Sequence, residues 1–259
     1  MKKIYTALGL MSGTSMDGVD ASIIQTDGKS KYKAILDKYF KYPENIYNDL
    51  TKLRDKVKTP TDLKKYQKKI KSVENSITIF HAESVDKILK KTRQNVDFIG
   101  FHGQTIFHNA AVKITKQLGD AKLLSKLTKK KVIYNFRQND LKNGGEGAPL
   151  APIFHEMLQK KFNIKPLSFF NIGGILNRTT IWDDGKVSAA DCGPGMCLID
   201  RWIRTNSKKK YDKNGAIAKS GKVNKKILEK YWNYFIASNL EKKSYDTNDF
   251  SISIVKNLS

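Results

Sequence analysis

The sequence predicts an α/β protein built from two lobes. Strand-like apolar runs alternate with longer stretches in which apolar residues recur at helical spacing. One unit occurs twice: an apolar run, a glycine turn, a second apolar run and an Asp-Gly turn. The 259 residues suffice for one large domain or two lobes of ordinary size. The repeated unit favours two related lobes with a cleft between them, although two hairpins can also resemble each other by chance.

The first half is predicted to begin with three antiparallel strands at residues 4–10, 19–25 and 33–39. Between residues 46 and 93, apolar residues recur at helical spacing, so a layer of helices is expected there. A fourth strand at 96–101 leads into the sequence His-Gly-Gln-Thr-Ile-Phe-His, and a helix is expected at 121–127.

A strand at 132–136, a loop at 142–150 and a helix at 151–162 connect the two halves. The second copy of the unit supplies strands at 167–172 and 176–181. A further strand at 187–190 precedes a Gly-Pro-Gly turn and a helix that begins near Cys197.

The net charge of +23 does not by itself indicate nucleic-acid binding. The lysines form short scattered groups with few arginines and no interleaved aromatic platform, so solvated helix faces and loops are favoured. No apolar run approaches the roughly 20 residues of a membrane-spanning helix. The N-terminus lacks the cleavage pattern of a signal peptide. We therefore expect a cytoplasmic enzyme that binds neither nucleic acid nor membranes.

A glycine-rich turn near the N-terminus is the strongest candidate for chemistry. It contains Gly13, Thr14, Ser15, Met16, Asp17 and Gly18, followed by Val19 and Asp20. Glycine lets the backbone approach a phosphate closely, while hydroxyl and backbone N–H groups donate hydrogen bonds to its oxygens. Asp17 or Asp20 could hold Mg²⁺ through water. A plain β-hairpin with an Asp-Gly turn is the competing interpretation.

The second glycine turn favours phosphate binding over a plain β-hairpin as the interpretation of the first turn. Gly173 and Gly174, with Asn177 close behind, stand at the equivalent place in the repeat. Neither a P-loop nor a dinucleotide-binding glycine motif is present.

Polar residues elsewhere are candidates for the reacting centre. Asp191 follows the strand at 187–190 and is a candidate general base, although capping the next helix is an equally good interpretation. His102 and Gln104 are residue types suited to a polyhydroxylated or amide-bearing ligand, and no metal site is predicted.

Six segments, taken together, resemble the anhydro-N-acetylmuramic acid kinases of the actin-like ATPase and sugar kinase superfamily. They follow one another in order: residues 9–20, 101–108, 135–137 with 144–152, 171–177, 191–195 with Asp200, and 211–224. The resemblance implies an α/β, two-lobed actin-like ATPase (ribonuclease H-like) fold. The second lobe is expected to be incomplete, because members of the family continue well past residue 259. The resemblance assigns residues 1–130 to an N-terminal lobe that contains the first phosphate-binding hairpin. Residues 131–259 would form a second lobe with the second glycine turn and the catalytic Asp.

The resemblance also implies a double reaction in cell-wall recycling. Asp191 would activate water to open the internal ring of 1,6-anhydro-N-acetylmuramic acid. The freed O6 would then take the γ-phosphoryl group of ATP, with Mg²⁺ as cofactor. Residues 13–20 would grip the ATP phosphates, with Gly173, Gly174 and Asn177 opposite. The sugar is assigned to His102, Gln104 and Glu146.

Three positions depart from the family's usual residues. Met196 replaces Asn, Cys192 replaces Thr and Glu146 replaces Gln, so a different sugar remains conceivable. A non-catalytic or split sugar- or nucleotide-binding remnant is the alternative function. Pairing of two copies in a homodimer is left open.

Overall fold

The computed structural model describes residues 3–239, 245 and 247–250. The chain divides into two units, Met1–Asn163 and Ile164–Ser259. Residues 131–163, assigned to a second lobe from the sequence, thus group with the first unit. The functional roles predicted for the two parts stay predictions.

The first unit contains a mixed sheet. Its strands are β1 (Tyr5–Ser12), β2 (Gly18–Thr26), β3 (Tyr32–Lys41), β4 (Phe98–Asn109), β5 (Ile114–Leu118) and β6 (Lys131–Ile133). The order is β3-β2-β1-β4-β5, and β6 also pairs with β4. The first three strands form the predicted antiparallel meander, whereas β1 pairs with β4, and β4 with β6, in parallel. Mixed pairing beside helices confirms the α/β class.

Helices accompany the strands of the first unit. They are α1 (Glu44–Lys56), α2 (Pro60–Lys65), α3 (Gln67–Leu89), α4 (Ala121–Thr128), α5 (Phe136–Lys142) and α6 (Pro152–Phe162). The predicted stripe of α3, which includes Ile70, Val73 and Ile77, is buried against the sheet's Leu8 and Ile99 in one hydrophobic core. None of the helices in the described part of the chain has the length and apolar character needed to cross a bilayer.

The second unit contains an antiparallel sheet and further helices. Its elements are β7 (Leu167–Ile172), β8 (Ile175–Ile181), β9 (Val187–Pro194), α7 (Cys197–Asn206), α8 (Ala216–Ser220) and α9 (Lys225–Asn239). Short 3₁₀ turns cover Lys213–Gly215 and Thr247–Asp249. The strand order is β7-β8-β9. Several large apolar side chains of this unit are exposed, among them Ile172 (61%) and Trp232 (59%).

Four points of the predicted secondary structure need correction. The strand predicted at 96–101 spans Phe98–Asn109, so His102 and Gln104 lie within β4. The strand predicted at 132–136 ends at Ile133, because Asn135 takes a left-handed conformation (φ 61°) and Phe136 begins α5. Strand β5 was not predicted, since its sequence Ile-Thr-Lys-Gln-Leu has little apolar character. The strand predicted to end at residue 190 extends to Pro194, so Asp191 lies within β9.

Candidate functional site

The first glycine-rich turn links β1 to β2. Thr14 and Ser15 are exposed, whereas the Met16 side chain is buried in the core. Met16 has a positive φ of 57°, which is uncommon for a residue with a side chain, and its N–H donates to the Gly13 carbonyl oxygen at 3.1 Å. The buried Met16 anchors the turn, and the two hydroxyls therefore stay at the surface.

The two glycines of this turn differ in what surrounds them. A Cβ on Gly18 would overlap the backbone carbonyl of Phe40 and the ring of Tyr39, so only glycine lets β3 approach this closely. A Cβ on Gly13 would meet nothing nearer than the Ser15 hydroxyl at 3.8 Å. Space for a ligand group is therefore open beside Gly13.

A buried polar network supports the base of the turn. The Gln104 amide nitrogen donates to the Gly13 carbonyl oxygen at 2.9 Å, and the Ser12 hydroxyl donates to Gln104 Oε1 at 2.6 Å. The Tyr42 hydroxyl donates to Ser12 Oγ at 3.1 Å, and burial raises the pKa of Tyr42 far above its usual value, so Tyr42 stays protonated. Gln104 has no exposed surface. Sugar binding by Gln104, as predicted from the sequence, would require its side chain to leave these contacts.

Two carboxylates lie beside the turn. The Ser15 hydroxyl donates to Asp17 Oδ1, and Asp20 projects from β2 on the exposed side. Burial first, and the neighbouring Asp17 carboxylate second, raise the pKa of Asp20. In the described residues, no group of three or more His, Cys, Asp or Glu side chains could form a protein metal cage. A pair of carboxylates suits Mg²⁺ that keeps most of its water and phosphate ligands.

His102 is part of a second polar cluster on the first unit. Its Nδ1–H donates to the Gly103 carbonyl oxygen, and its Nε2 accepts from Arg137 Nε, both at 2.8 Å. Burial, and then the Arg137 guanidinium, lower the pKa of His102 to about 4, so the ring is neutral at physiological pH. Arg137 Nη1 also donates to the carbonyl oxygen of Gly147 at 3.1 Å, next to exposed Glu146. The structure therefore brings His102 and the Glu146 loop together through Arg137.

A cavity of about 1060 Å³ opens beside this cluster. Its lining combines His102 with apolar residues of β6, α5 and α6 and with polar side chains of α5, including Phe136, Asn139, Asp140 and Phe154. This volume lies just above the range of about 300–1,000 Å³ that is usual for small-molecule sites.

The second glycine turn is bonded to the start of α7. The N–H groups of Gly195, Met196 and Cys197 donate to the carbonyl oxygens of Gly174, Gly173 and Gly174, at 3.0, 2.8 and 3.2 Å. A Cβ on Gly195 would overlap the Gly173 carbonyl oxygen. The Gly173–Gly174 turn and the Gly-Pro-Gly segment therefore form one backbone unit.

Asp191 lies on β9 opposite Asn177 of β8, at a register shift between Leu176 and Asn177. Asp191 is not the N-cap residue of α7, because that position is taken by Met196, whose side chain makes no capping hydrogen bond. Asp191 Oδ2 instead accepts a hydrogen bond from the backbone N–H of Tyr245 at 2.8 Å. The helix-cap interpretation is thus excluded, and Asp191 and Asn177 are brought together.

Turns that expose successive backbone N–H groups are typical of proteins that bind phosphate-bearing ligands. The sequence model described as anhydro-N-acetylmuramic acid kinase matches residues 5–257. The chain therefore belongs to the anhydro-N-acetylmuramic acid kinase family.

Several curated relatives carry the same description. The anhydro-N-acetylmuramic acid kinase of Pelagibacter ubique is 51% identical over 262 residues, which cover 100% of this chain and 70% of the relative. Those of Agrobacterium fabrum and Rhizobium johnstonii are each 37% identical over 257 residues, covering 96% and 97% of this chain and 69% of each relative.

Two hydrogen bonds of the candidate site could not be predicted from the sequence. Arg137 stands in a recognised segment, but its pairing with His102 spans 35 residues. The Tyr245 amide meets Asp191 across 54 residues. Neither pairing leaves a local pattern, although an arginine between a strand and a loop rich in glycine is a signal that could have singled out Arg137.

Proposed function

We propose that this chain is an ATP-dependent kinase that opens 1,6-anhydro-N-acetylmuramic acid with water and phosphorylates it to N-acetylmuramic acid 6-phosphate in cell-wall recycling. Family membership over residues 5–257 supports the activity. One structural observation supports the assignment of this chemistry, and it concerns Asp191. Asp191 lies opposite Asn177, its carboxylate accepts a hydrogen bond from the backbone N–H of Tyr245, and the N-cap position of α7 is taken by another residue.

Asp191 is the proposed general base. It accepts a proton from water as the water oxygen bonds to the anomeric carbon and the bond between that carbon and O6 breaks. O6 then attacks the γ-phosphorus of ATP, the bond to the β-phosphate oxygen breaks, and ADP leaves. The proton passes from Asp191 to solvent. General-base catalysis of this kind typically contributes about 10²–10⁴-fold.

The ATP phosphates are assigned to the two glycine turns. Residues 13–20 offer the open space beside Gly13, two exposed hydroxyls and backbone N–H groups. Gly173, Gly174 and Asn177 are assigned to the same ligand. Asp17 and Asp20 would hold Mg²⁺, which neutralises charge on the phosphates when bound.

The sugar is assigned to the cluster around His102 and Glu146. N-acetylmuramic acid carries a carboxylate, and Arg137 supplies a permanent cation in this cluster. Neutral His102 orients Arg137 through its Nε2 atom. In this proposal Gln104 supports the phosphate turn from below and is not in contact with the sugar.

The finer description of the fold is also a proposal. The antiparallel meander β3-β2-β1, followed by parallel pairing of β1 with β4 and of β4 with β6, supports a ribonuclease H-like lobe of an actin-like ATPase. A cytoplasmic location suits a kinase that uses ATP. The non-catalytic remnant is not favoured, because the similarity to the named kinases extends along the whole chain.

A coupled assay of sugar-dependent ADP release tests the proposal. The purified chain is incubated with 1,6-anhydro-N-acetylmuramic acid and Mg·ATP, beside the variants Asp191→Asn and Asp183→Asn. Asp183 lies in the exposed turn between β8 and β9, so its variant is the matched control. We expect turnover that falls about 10²–10⁴-fold in Asp191→Asn and is retained in Asp183→Asn. Equal turnover of both variants would exclude Asp191 as the base.

A further inference from the structure

Arg201 of α7 binds a distant stretch of the second unit, Tyr245 and Thr247–Phe250, here named the docked segment. The guanidinium donates hydrogen bonds to two backbone carbonyl oxygens, those of Thr247 (2.9 Å) and Phe250. Because guanidinium donors lie in a rigid plane, two such bonds fix the orientation of the docked segment as well as its position.

Aromatic packing holds the same segment. Phe250 is 2% exposed, and its ring centroid lies 5.3 Å from that of Tyr245 and 5.9 Å from that of Phe235 on α9. Phe235 also packs against Gly193, where a Cβ would lie 3.0 Å from the ring. The docked segment is thus anchored beside the strand that carries Asp191.

The anchoring places one backbone donor on the proposed base. The Tyr245 N–H donates to Asp191 Oδ2 at 2.8 Å in a half-buried setting. A backbone N–H cannot rotate away as a side-chain hydroxyl can, so this bond restricts the plane of the carboxyl group for as long as the segment stays docked.

We propose that Arg201 is a positioning residue for catalysis, which keeps the Tyr245 N–H on Asp191 Oδ2 and thereby holds the carboxylate in one orientation for proton abstraction from water. The inference rests on the proposed function, in which Asp191 is the general base. Arg201 acts by geometry, because both of its acceptors are neutral carbonyl oxygens.

Geometry and charge can be separated by substitution. Arg201→Ala removes both donors, whereas Arg201→Lys keeps the positive charge and loses the planar fork. Arg204→Ala is the matched control, since Arg204 lies on the same helix, is exposed, and contacts the Lys210 carbonyl oxygen at 3.4 Å.

The Tyr245 amide proton reports the bond directly. The full chain is labelled with ¹⁵N-tyrosine, which gives at most 11 backbone resonances, and Tyr245→Phe identifies the one that belongs to Tyr245. A hydrogen bond to a carboxylate moves an amide proton downfield. We expect this resonance to move upfield in Arg201→Ala and in Asp191→Asn and to stay in place in Arg204→Ala.

Kinetics measure the catalytic consequence. We expect kcat of Arg201→Ala to fall about 10- to 100-fold with KM for Mg·ATP changed less than about twofold, because misplacement of a catalytic group affects the chemical step. Arg201→Lys should recover part of this loss, and Arg204→Ala should match the unaltered chain.

Two results would overturn the inference. The first is a Tyr245 resonance that does not move in Arg201→Ala. The second is a resonance that moves in Arg201→Ala while the kcat of that variant equals the kcat of Arg204→Ala. If Arg201→Ala does not fold, Arg201→Lys decides, since an unmoved Tyr245 resonance there, with a kcat equal to that of Arg204→Ala, shows that the guanidinium does not position the carboxylate. Failure of the proposed function has a separate signature, which is full turnover by Asp191→Asn whatever the resonance does.

Discussion

Gly13 is open on the side where a Cβ would stand, and its φ is not in the left-handed region. Alanine is therefore compatible with the backbone conformation at this position. Its methyl group would occupy only the space that we assign to a phosphate oxygen. We expect Gly13→Ala to lower kcat/KM for Mg·ATP about 10- to 100-fold, equivalent to about 1.4–2.7 kcal/mol of transition-state binding. Steady-state kinetics at varied ATP concentration measure this.

The same substitution should leave stability unchanged or slightly raised, because alanine in a compatible conformation reduces the entropy of the unfolded chain. Gly9→Ala is the control: Gly9 lies on β1, and its nearest neighbour would be the Ser22 carbonyl oxygen at 3.9 Å. A Gly13→Ala protein with a lowered melting temperature and unaltered kinetics would assign this glycine to folding alone.

The glycine and hydroxyl residues of the first turn could be recognised in the sequence. Which side chains of the turn and of the neighbouring segments are buried could not be predicted. Met16 and Gln104 are both in segments that suggest ligand contact, yet the structure buries both side chains. Burial at a turn depends on which long-range partners fill the space beneath it. Gln104 meets Ser12 across 92 residues, and no local pattern encodes that pairing.

At the scale of elements, the junction of the β7–β8 turn with α7 tolerates no side chain at Gly195. A Cβ there would overlap the Gly173 carbonyl oxygen and lie 3.1 Å from the Leu176 nitrogen. We expect Gly195→Ala to destabilise the chain by about 1–3 kcal/mol, the usual cost of overpacking. Urea unfolding measures this.

Gly173→Ala provides the comparison for stability. A Cβ on Gly173 would lie 3.6 Å from the Asn171 amide nitrogen and 3.7 Å from the Ile175 carbonyl oxygen, which are ordinary contacts. The urea midpoint of the Gly173→Ala variant should stay close to that of the unaltered chain. Equal destabilisation by both substitutions would contradict the close approach inferred at Gly195.

Strands with strong apolar patterns could be predicted from the sequence, and those with weak patterns could not. The first three strands and the hairpin of β7 and β8 were found close to their predicted bounds because apolar runs end at glycine turns. Strand β5 exists through pairing with β4, which compensates for its polar composition. The docked segment is likewise defined by Arg201 and Phe235, far away in the chain.

At the scale of the whole molecule, the hydrophobic core lies within one unit. Its buried members run from Leu8 to Leu124, whereas the described residues of the second unit bury few large apolar side chains, such as Ile181, Ile203 and Phe250. We expect a fragment of residues 1–163 to fold alone, with a single cooperative urea transition seen by circular dichroism.

A fragment of residues 164–259 is the matched comparison. With its small buried apolar area, we expect a broad transition without cooperativity. A cooperative transition in the second fragment and none in the first would show that the distribution of buried residues does not govern the stability of the two units.

The parallel pairing of β1 with β4 has a further consequence during synthesis. The hairpin of β1 and β2 leaves the ribosome before β4 does, and Ser12 obtains its Gln104 partner only after 92 more residues have been added. At about 5–20 residues per second, this takes roughly 5–18 s. Throughout that interval the edge of β1 lacks the strand with which it pairs. A nascent chain of this protein is therefore a candidate client for chaperones that bind early in translation.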